Sequence, residues 1–245
     1  RQVPRQWFTG TVESLAIHDN ITLGLTLFPA TREIVVLSDG TTTGVGTRQM
    51  IVDAEKDFPQ VRFRYLNGES LSTEAMLAQL RLLTRDTIVL APAWYQDKDG
   101  QSFTNTESYP LIAEASPVPV LVMSSANLGL GVLGGKVNSG AAQGEYAANQ
   151  AIRILQGQAT ASALPVELQG SNTYLFDSRQ LSRFGIAEEQ LPQGSTVLFR
   201  PFSFYATYKV LVWSVVAAFS LFGILLLVLL ISMQRLRETR RHLAK

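Results

Sequence analysis

Three short clusters carry the side chains best suited to hold a small solute: Ser38, Asp39 and Thr41; Trp94, Tyr95 and Asp97; Ser124, Ser125 and Asn127. Trp94 and Tyr95 offer flat apolar surface that can stack on or enclose a ligand face. The carboxylates, hydroxyls and amide offer orienting hydrogen bonds. Each residue taken singly has a plainer role: the aromatic pair can pack beneath its loop, and Asp39 and Asp97 can close turns. The set reads as a site because each cluster ends an apolar, strand-like run: "REIVVLS", "DTIVLAPAWY" and "PVLVMS". Parallel α/β sheets bind ligands in the crevice outside the carboxyl ends of their strands.

Other chemistries fail on spacing. The stretch "SSANLGLGVLGGKVNS" holds G-x-G-x-x-G at Gly129, Gly131 and Gly134. A dinucleotide loop needs a strand, the glycines and a helix in immediate succession, with an acid about twenty residues on. Here the strand ends near Met123, the helix waits until about Gly140, and "AIRIL" stands where the acid belongs. The phosphate-loop pattern fails as well, because Leu130 and Val137 replace its first glycine and its hydroxyl around Lys136. Gly131, Gly134 and Gly135 read instead as a hinge and strand crossing, where glycine permits close backbone approach and unusual dihedrals. "DKDG" at 97–100 resembles the start of a calcium loop, but the next acidic position is missing. His18 lacks a nucleophile and acid partner, and cysteine is absent, which removes thiol catalysis, disulfides and cysteine metal sites. No catalytic residue, metal or cofactor is expected, and the chain is read as no enzyme.

Strand-like and helix-like runs alternate around the clusters. "DNITLGLTLF" reads as a helix capped by Asp19 or Asn20 and stopped by Pro29. "GTRQMIVDAEKDF" is helical up to Pro59, "VRFRYL" a strand, and "STEAMLAQLRLL" a helix opened by a capping box at Ser72 or Thr73 with Glu74. "TESYPLIAEAS" is a short helix, and "SGAAQGEYAANQAIRILQG" a long amphipathic one closed by Gly157. That alternation predicts a parallel α/β sheet.

The carboxyl end differs. Residues 210–233, "VLVWSVVAAFSLFGILLLVLLISM", carry no charge between Lys209 and Arg235. As a helix the stretch spans roughly 36 Å, enough for a hydrocarbon core of about 30 Å. Arg235, Arg237, Arg240, Arg241 and Lys245 follow at once, which places that flank in the cytoplasm. Phe202, Phe204, Tyr205, Tyr208 and Trp213 gather at the other end as an interfacial belt. The last twelve residues hold five of the 21 basic groups and one of the 20 acidic ones; the remainder, 16 against 19, is acidic. An acidic body argues against nucleic acid. Leu229, Met233, Leu236 and Leu243 fall at coiled-coil-type intervals that can extend the span into a dimeric coil or stay a solvated basic flank.

With these residues in view, the chain resembles the periplasmic-binding-protein-like sensor domains of bacterial membrane receptors, within the broad ABC-transporter substrate-binding-like group. Such domains precede sensor histidine kinases and diguanylate cyclases. The resemblance rests on "GLGVLGG", "QGEYAANQAIRILQG", "LFDSRQLSRFGI" and "LPQGSTVLFR" just before the membrane stretch, and runs from about "FTGTVES" to Pro201. It implies a small-molecule ligand held between two lobes, with closure about hinges as the message. In that group a first lobe of comparable size precedes the matched part, so an amino-terminal half is expected ahead of Arg1.

The expected organisation is α/β: a periplasmic-binding-protein-like region over 1–201, an aromatic connector at 202–209, a transmembrane helix at 210–233 and a basic segment at 234–245. The expected place is a bacterial inner membrane, residues 1–208 periplasmic and 234–245 cytoplasmic, with the lipid bilayer and a homodimer or membrane-complex partner. The expected role is solute sensing coupled through the span to a cytoplasmic output module. A tethered substrate-binding component of a transporter, or an accessory subunit with a disused cleft, are the alternatives. In this cysteine-free chain an Arg240→Cys variant should escape an impermeant thiol reagent in intact spheroplasts. Labelling there reverses the orientation.

Overall fold

The computed structural model describes residues 7–166 and 172–243, with side chains described except at 206 and 236–243. The chain divides into two compact units, Arg1–Arg200 and Pro201–Lys245.

The first unit is built on one seven-stranded sheet. Its strands are β1 (Glu33–Ser38), β2 (Arg62–Asn67), β3 (Thr87–Leu90), β4 (Val120–Leu121), β5 (Gly134–Asn138), β6 (Asn172–Asp177) and β7 (Thr196–Leu198), in the order β2-β1-β3-β4-β5-β6-β7. The strands from β2 to β5 are parallel, as the alternating pattern predicts. β6 runs antiparallel to β5, and β7 parallel to β6. The last two strands are therefore reversed, and β7 ends at the amino edge of the parallel part.

Helices cover both faces, so the central strands are apolar on both sides. Alternation along β1 sends Ile34 and Val36 into one core with Ile17, Ile21, Ile51 and Leu181, from α1 (Ile17–Leu27), α2 (Thr42–Glu55) and α6 (Ser178–Phe184). Val35 and Leu37 enter the other, with Met76 and Leu80 of α3 (Thr73–Arg81) and Tyr109 and Ile112 of α4 (Asn105–Ala115). Each fully buried aliphatic side chain contributes about 1.5–3 kcal/mol, and both cores use the same strands.

Local chemistry departs from the sequence pattern in places. Ala16, without a side-chain cap, precedes α1. Asn20, expected as a cap, is wholly buried inside the helix. Its amide donates to the Lys136 carbonyl (2.8 Å), and its Oδ1 accepts the Lys136 N–H (2.8 Å), pinning α1 to β5. Ser72 caps α3 through the Ala75 N–H without a reciprocal glutamate, and the capping box sits on α4, between Thr104 and Glu107. α2 begins earlier than the pattern predicts, at Thr42, with Thr41 as its cap.

The glycine stretch is a parallel crossover without an α-helix. Residues 125–133 return the chain from Ser124, which bridges to Asn138 at one edge, to Gly134, which pairs with Leu121 nearer the other. A short 3₁₀ turn (Ser125–Asn127) opens the return. So compressed a path needs glycine. Gly131 has φ +92°, and a Cβ there would stand 2.7 Å from the Ala113 side chain. Gly134 has φ +114°, and its Cβ would lie 2.1 Å from the Leu175 carbonyl. These glycines therefore lie where backbone segments approach closely, and α5 (Gly140–Leu155) starts only after β5, capped by Ser139.

In the second unit α7 (Phe204–Thr207) precedes α8 (Lys209–Leu243). Within α8, Lys209–Arg235 is long and apolar enough to cross a membrane, with mean hydropathy 2.9. The connector aromatics pack on one another: the Phe204 and Tyr208 rings lie 5.0 Å apart, and the Trp213 indole donates to the Tyr205 hydroxyl. The Leu236 and Leu243 side chains of the coiled-coil reading lie outside the described residues.

Gly134→Ala should lower stability by about 3 kcal/mol or more, since a Cβ meets backbone in the sheet centre and the dihedral is strained. Gly140→Ala, whose Cβ meets open space, should change it little. Thermal denaturation of both variants compares them; equal midpoints would refute the close-packed crossover.

Candidate functional site

Because β1, β3, β4 and β5 run parallel, the residues that follow them open on one edge of the sheet. All three predicted clusters lie there. What joins them is the Asp39 carboxylate, fully buried at the end of β1. Its Oδ1 accepts the Thr41 N–H and hydroxyl, and its Oδ2 accepts the Tyr95 and Gln96 N–H groups. A carboxylate has about four acceptor positions, so this one is saturated by the protein. It ties the loop after β1 to the loop after β3.

Two glycines make room for that clamp. A Cβ at Gly44 would stand 2.0 Å from Asp39 Oδ1, and one at Gly68 would stand 2.4 Å from the Gln96 carbonyl. Thr41 completes the corner by capping α2, its hydroxyl accepting the Gly44 N–H. The sequence pattern missed Gly44 and Gly68, since each looks like an ordinary helix or turn glycine.

Asp97 repeats the theme. Oδ2 accepts the N–H and hydroxyl of Thr73 at the start of α3, and Oδ1 accepts the Asp99 and Gln101 N–H groups. Burial pushes the Asp97 carboxyl up, but these hydrogen bonds, the Thr73 N–H and hydroxyl foremost, outweigh it and hold the group below the usual carboxylate range. The "DKDG" stretch is thus a turn closed by Asp97, while Lys98 pairs with Asp99. Trp94, expected to enclose a ligand, is instead a core residue with no exposed surface, and its indole N–H donates to the Thr73 hydroxyl. The physical reason is the adjacent α3–α4 core, which buries more of a large apolar ring than an open edge would.

Four of the nine residues keep uncommitted polar groups. Ser38 Oγ and Asn127 Oδ1 are buried without a partner. Such orphans cost about 1–3 kcal/mol each unless something satisfies them. Asn127 also hydrogen-bonds the phenol of Tyr109, which burial pushes well above its ordinary pKa and which donates to the Ala91 carbonyl. Tyr95 is half-buried; burial and the Asp39 charge raise its phenol. Ser125 is partly exposed in the 3₁₀ turn whose amide Ser124 caps. Beside them Gln143 donates to Asn138 at the start of α5. The edge therefore presents neutral hydroxyl and amide groups around a phenol, and its two carboxylates serve the scaffold.

α5 leaves from this same edge with an unusual polarity. Its buried position is Gln150, which accepts from Thr9 and donates to the Pro165 carbonyl. Its outward stripe is apolar: Ala148, Ala151, Ile152 and Leu155 are exposed, Leu155 to 86%. Cavities of about 470, 380 and 340 Å³ lie elsewhere, two at the amino edge and one between α1 and β6. Among the described residues no group of three or more His, Cys, Asp or Glu side chains could hold a metal ion.

This architecture is the substrate-binding-protein-like fold. The ligand-free, open structure of CD0873, a substrate-binding protein with adhesive properties from Clostridium difficile, aligns with TM-score 0.57 and 15% identity over 79% of this chain and 63% of that one. An ABC domain in complex with L-Trp from Streptococcus pneumonia gives 0.53 and 16% over 78% and 63%. A conserved domain protein from Vibrio cholerae gives 0.55 and 14% over 77% and 62%. This chain therefore spans less than two thirds of each of these structures. No protein-family model matches it, and no curated protein does.

Asp97→Asn should cost about 1–3 kcal/mol at neutral pH, by breaking the clamp on α3. A carboxyl held below its ordinary value stabilises above that value and loses the effect as pH falls through its folded pKa. The gap between wild type and variant should therefore close in acid, below about pH 4. A pH-independent gap in denaturation experiments would contradict this.

Proposed function

We propose that this chain is the solute-binding, extracytoplasmic part of a single-pass receptor in a bacterial inner membrane. It binds a compact polar solute at the carboxyl edge and passes closure through α8 to a cytoplasmic output module. The carrying observation is the pairing of a substrate-binding-protein-like fold with a membrane-length helix. Residues 1–208 face the periplasm and 234–245 the cytoplasm, in keeping with the basic flank. The chain itself performs no catalysis.

The orphaned Ser38 and Asn127 atoms, the Tyr95 phenol and the Ser125 hydroxyl are the ligand's hydrogen-bond partners in this reading. Closure uses a second lobe seated over the apolar stripe of α5, while the close-packed glycine crossover of Gly131, Gly134 and Gly135, read from the sequence as a hinge, moves with the sheet. The exit favours signalling over simple tethering. Asp177, buried at the end of β6, holds Arg179, which also lies 4.8 Å over the Phe199 ring, and Ser178 donates to the Phe199 carbonyl (2.7 Å). A retention tether has no need of such pinning, and Gly/Ser-rich chain would serve it.

L-Tryptophan, held by one structural neighbour, heads a calorimetric panel of amino acids against the full-length receptor in nanodiscs. Tyr95→Phe should weaken the panel's best ligand about tenfold. A Gly/Ser insertion after Phe204 should leave binding intact and abolish ligand-dependent kinase or cyclase output. Output that survives the insertion sinks the coupling, and affinity unchanged by Tyr95→Phe and by Asn127→Ala removes the site.

A further inference from the structure

The amino edge of the sheet, opposite the proposed solute site, carries a notch with a different chemistry. A cavity of about 380 Å³ lies between Phe28, Arg85, Pro117, Pro119, Arg183 and Phe184. Phe28 ends α1, Arg85 lies between α3 and β3, the prolines turn the chain into β4, and Arg183 and Phe184 end α6.

Its walls are apolar and its hydrogen-bond donors come almost wholly from arginine. The Phe28 and Phe184 rings meet edge to face, 6.5 Å apart at 86°. Pro117 and Pro119 have no N–H, and the Val118 N–H between them is spent on Ser116 Oγ. Arg183 is fixed: it donates to the Ser116 and Ala113 carbonyls and lies 5.0 Å over the Phe184 ring. Arg85 is exposed and engages no carboxylate or carbonyl among the described residues. No acid lines the notch, because the neighbouring Asp86 is held by Thr84 and lines the adjoining cavity with Arg32 and Arg62.

A guanidinium presents a planar fork of donors that matches carboxylate and phosphate oxygens, and an aromatic wall adds area for an attached apolar group. The volume lies within the range of small-molecule pockets. We propose that this notch binds an oxyanion, carboxylate or phosphate, carried on an apolar body. Arg85 is the free contact, Arg183 the fixed positive charge, and Phe28 and Phe184 the seat of the apolar part. The source of such a group is either a soluble amphipathic acid or the phosphodiester of an anionic lipid.

The full chain in phosphatidylcholine nanodiscs, titrated calorimetrically with phenylacetate and with phenyl phosphate, tests this. At least one probe should bind with a submillimolar constant that Arg85→Glu weakens roughly tenfold or more. Arg85 is exposed, so the variant should keep the wild-type thermal midpoint. Arg183→Lys, which keeps a charge but loses the two carbonyl contacts that fix its position, should weaken binding as well. Adding phosphatidylglycerol to the nanodiscs distinguishes the sources: a lipid occupant competes with the probe and slows amide exchange at Arg85 and Asp86, whereas a soluble occupant leaves probe affinity unchanged. Binding indifferent to Arg85→Glu overturns the proposal. So does the failure of both probes together with no lipid-dependent protection.

Discussion

The buried carboxylate of Asp39 is the constraint on which the carboxyl edge depends. A fully buried charge is tolerated only when its acceptor positions are filled. Here four donors from two loops fill them. That requirement fixes the loop after β1, the start of α2 and the loop after β3 in one arrangement. It also explains Gly44 and Gly68, because no side chain fits between the carboxylate and the backbone that surrounds it. Asp97 extends the scheme to α3, and Trp94 and Thr73 join it to the core.

Carboxylates so engaged position other groups and have little left for a ligand. The groups left over are neutral, and two of them are buried without partners. Folding bears that penalty locally, and a bound solute with matching donors and acceptors would relieve it. This is the physical tie between a rigid acidic scaffold and the neutral surface proposed to recognise a solute.

The reversal at β6 matters as much for the whole chain. If all seven strands were parallel, the polypeptide would leave the sheet at the edge that bears the proposed solute site. Because β6 and β7 run backward, the chain leaves at the amino edge, beside the buried Asp177 and its arginine. The two edges are joined through the central strands, which are buried on both faces and so move as a body. The edge that carries the exit also carries the arginine-lined notch.

Much of the fold was legible in the sequence. Alternating apolar runs and caps marked β1 to β4 and α1 to α5 because those signals are local, and 24 uncharged residues marked the membrane-length helix by composition alone. The gap between the glycine spacing and the next helix was legible too, since α5 starts only at Gly140. The short β5, with four polar or glycine residues in five, carried no period and went unread, as did the reversal of β6, because strand direction is set by pairing partners distant in sequence. Asn20 looked like a helix cap and became a bridge to Lys136; Trp94 looked like a ligand platform and became core. In each case residue type and spacing determined what the side chain could do. Only the tertiary structure decided which partner reached it first, since a buried polar group or large ring takes the contact that most reduces its cost of leaving water.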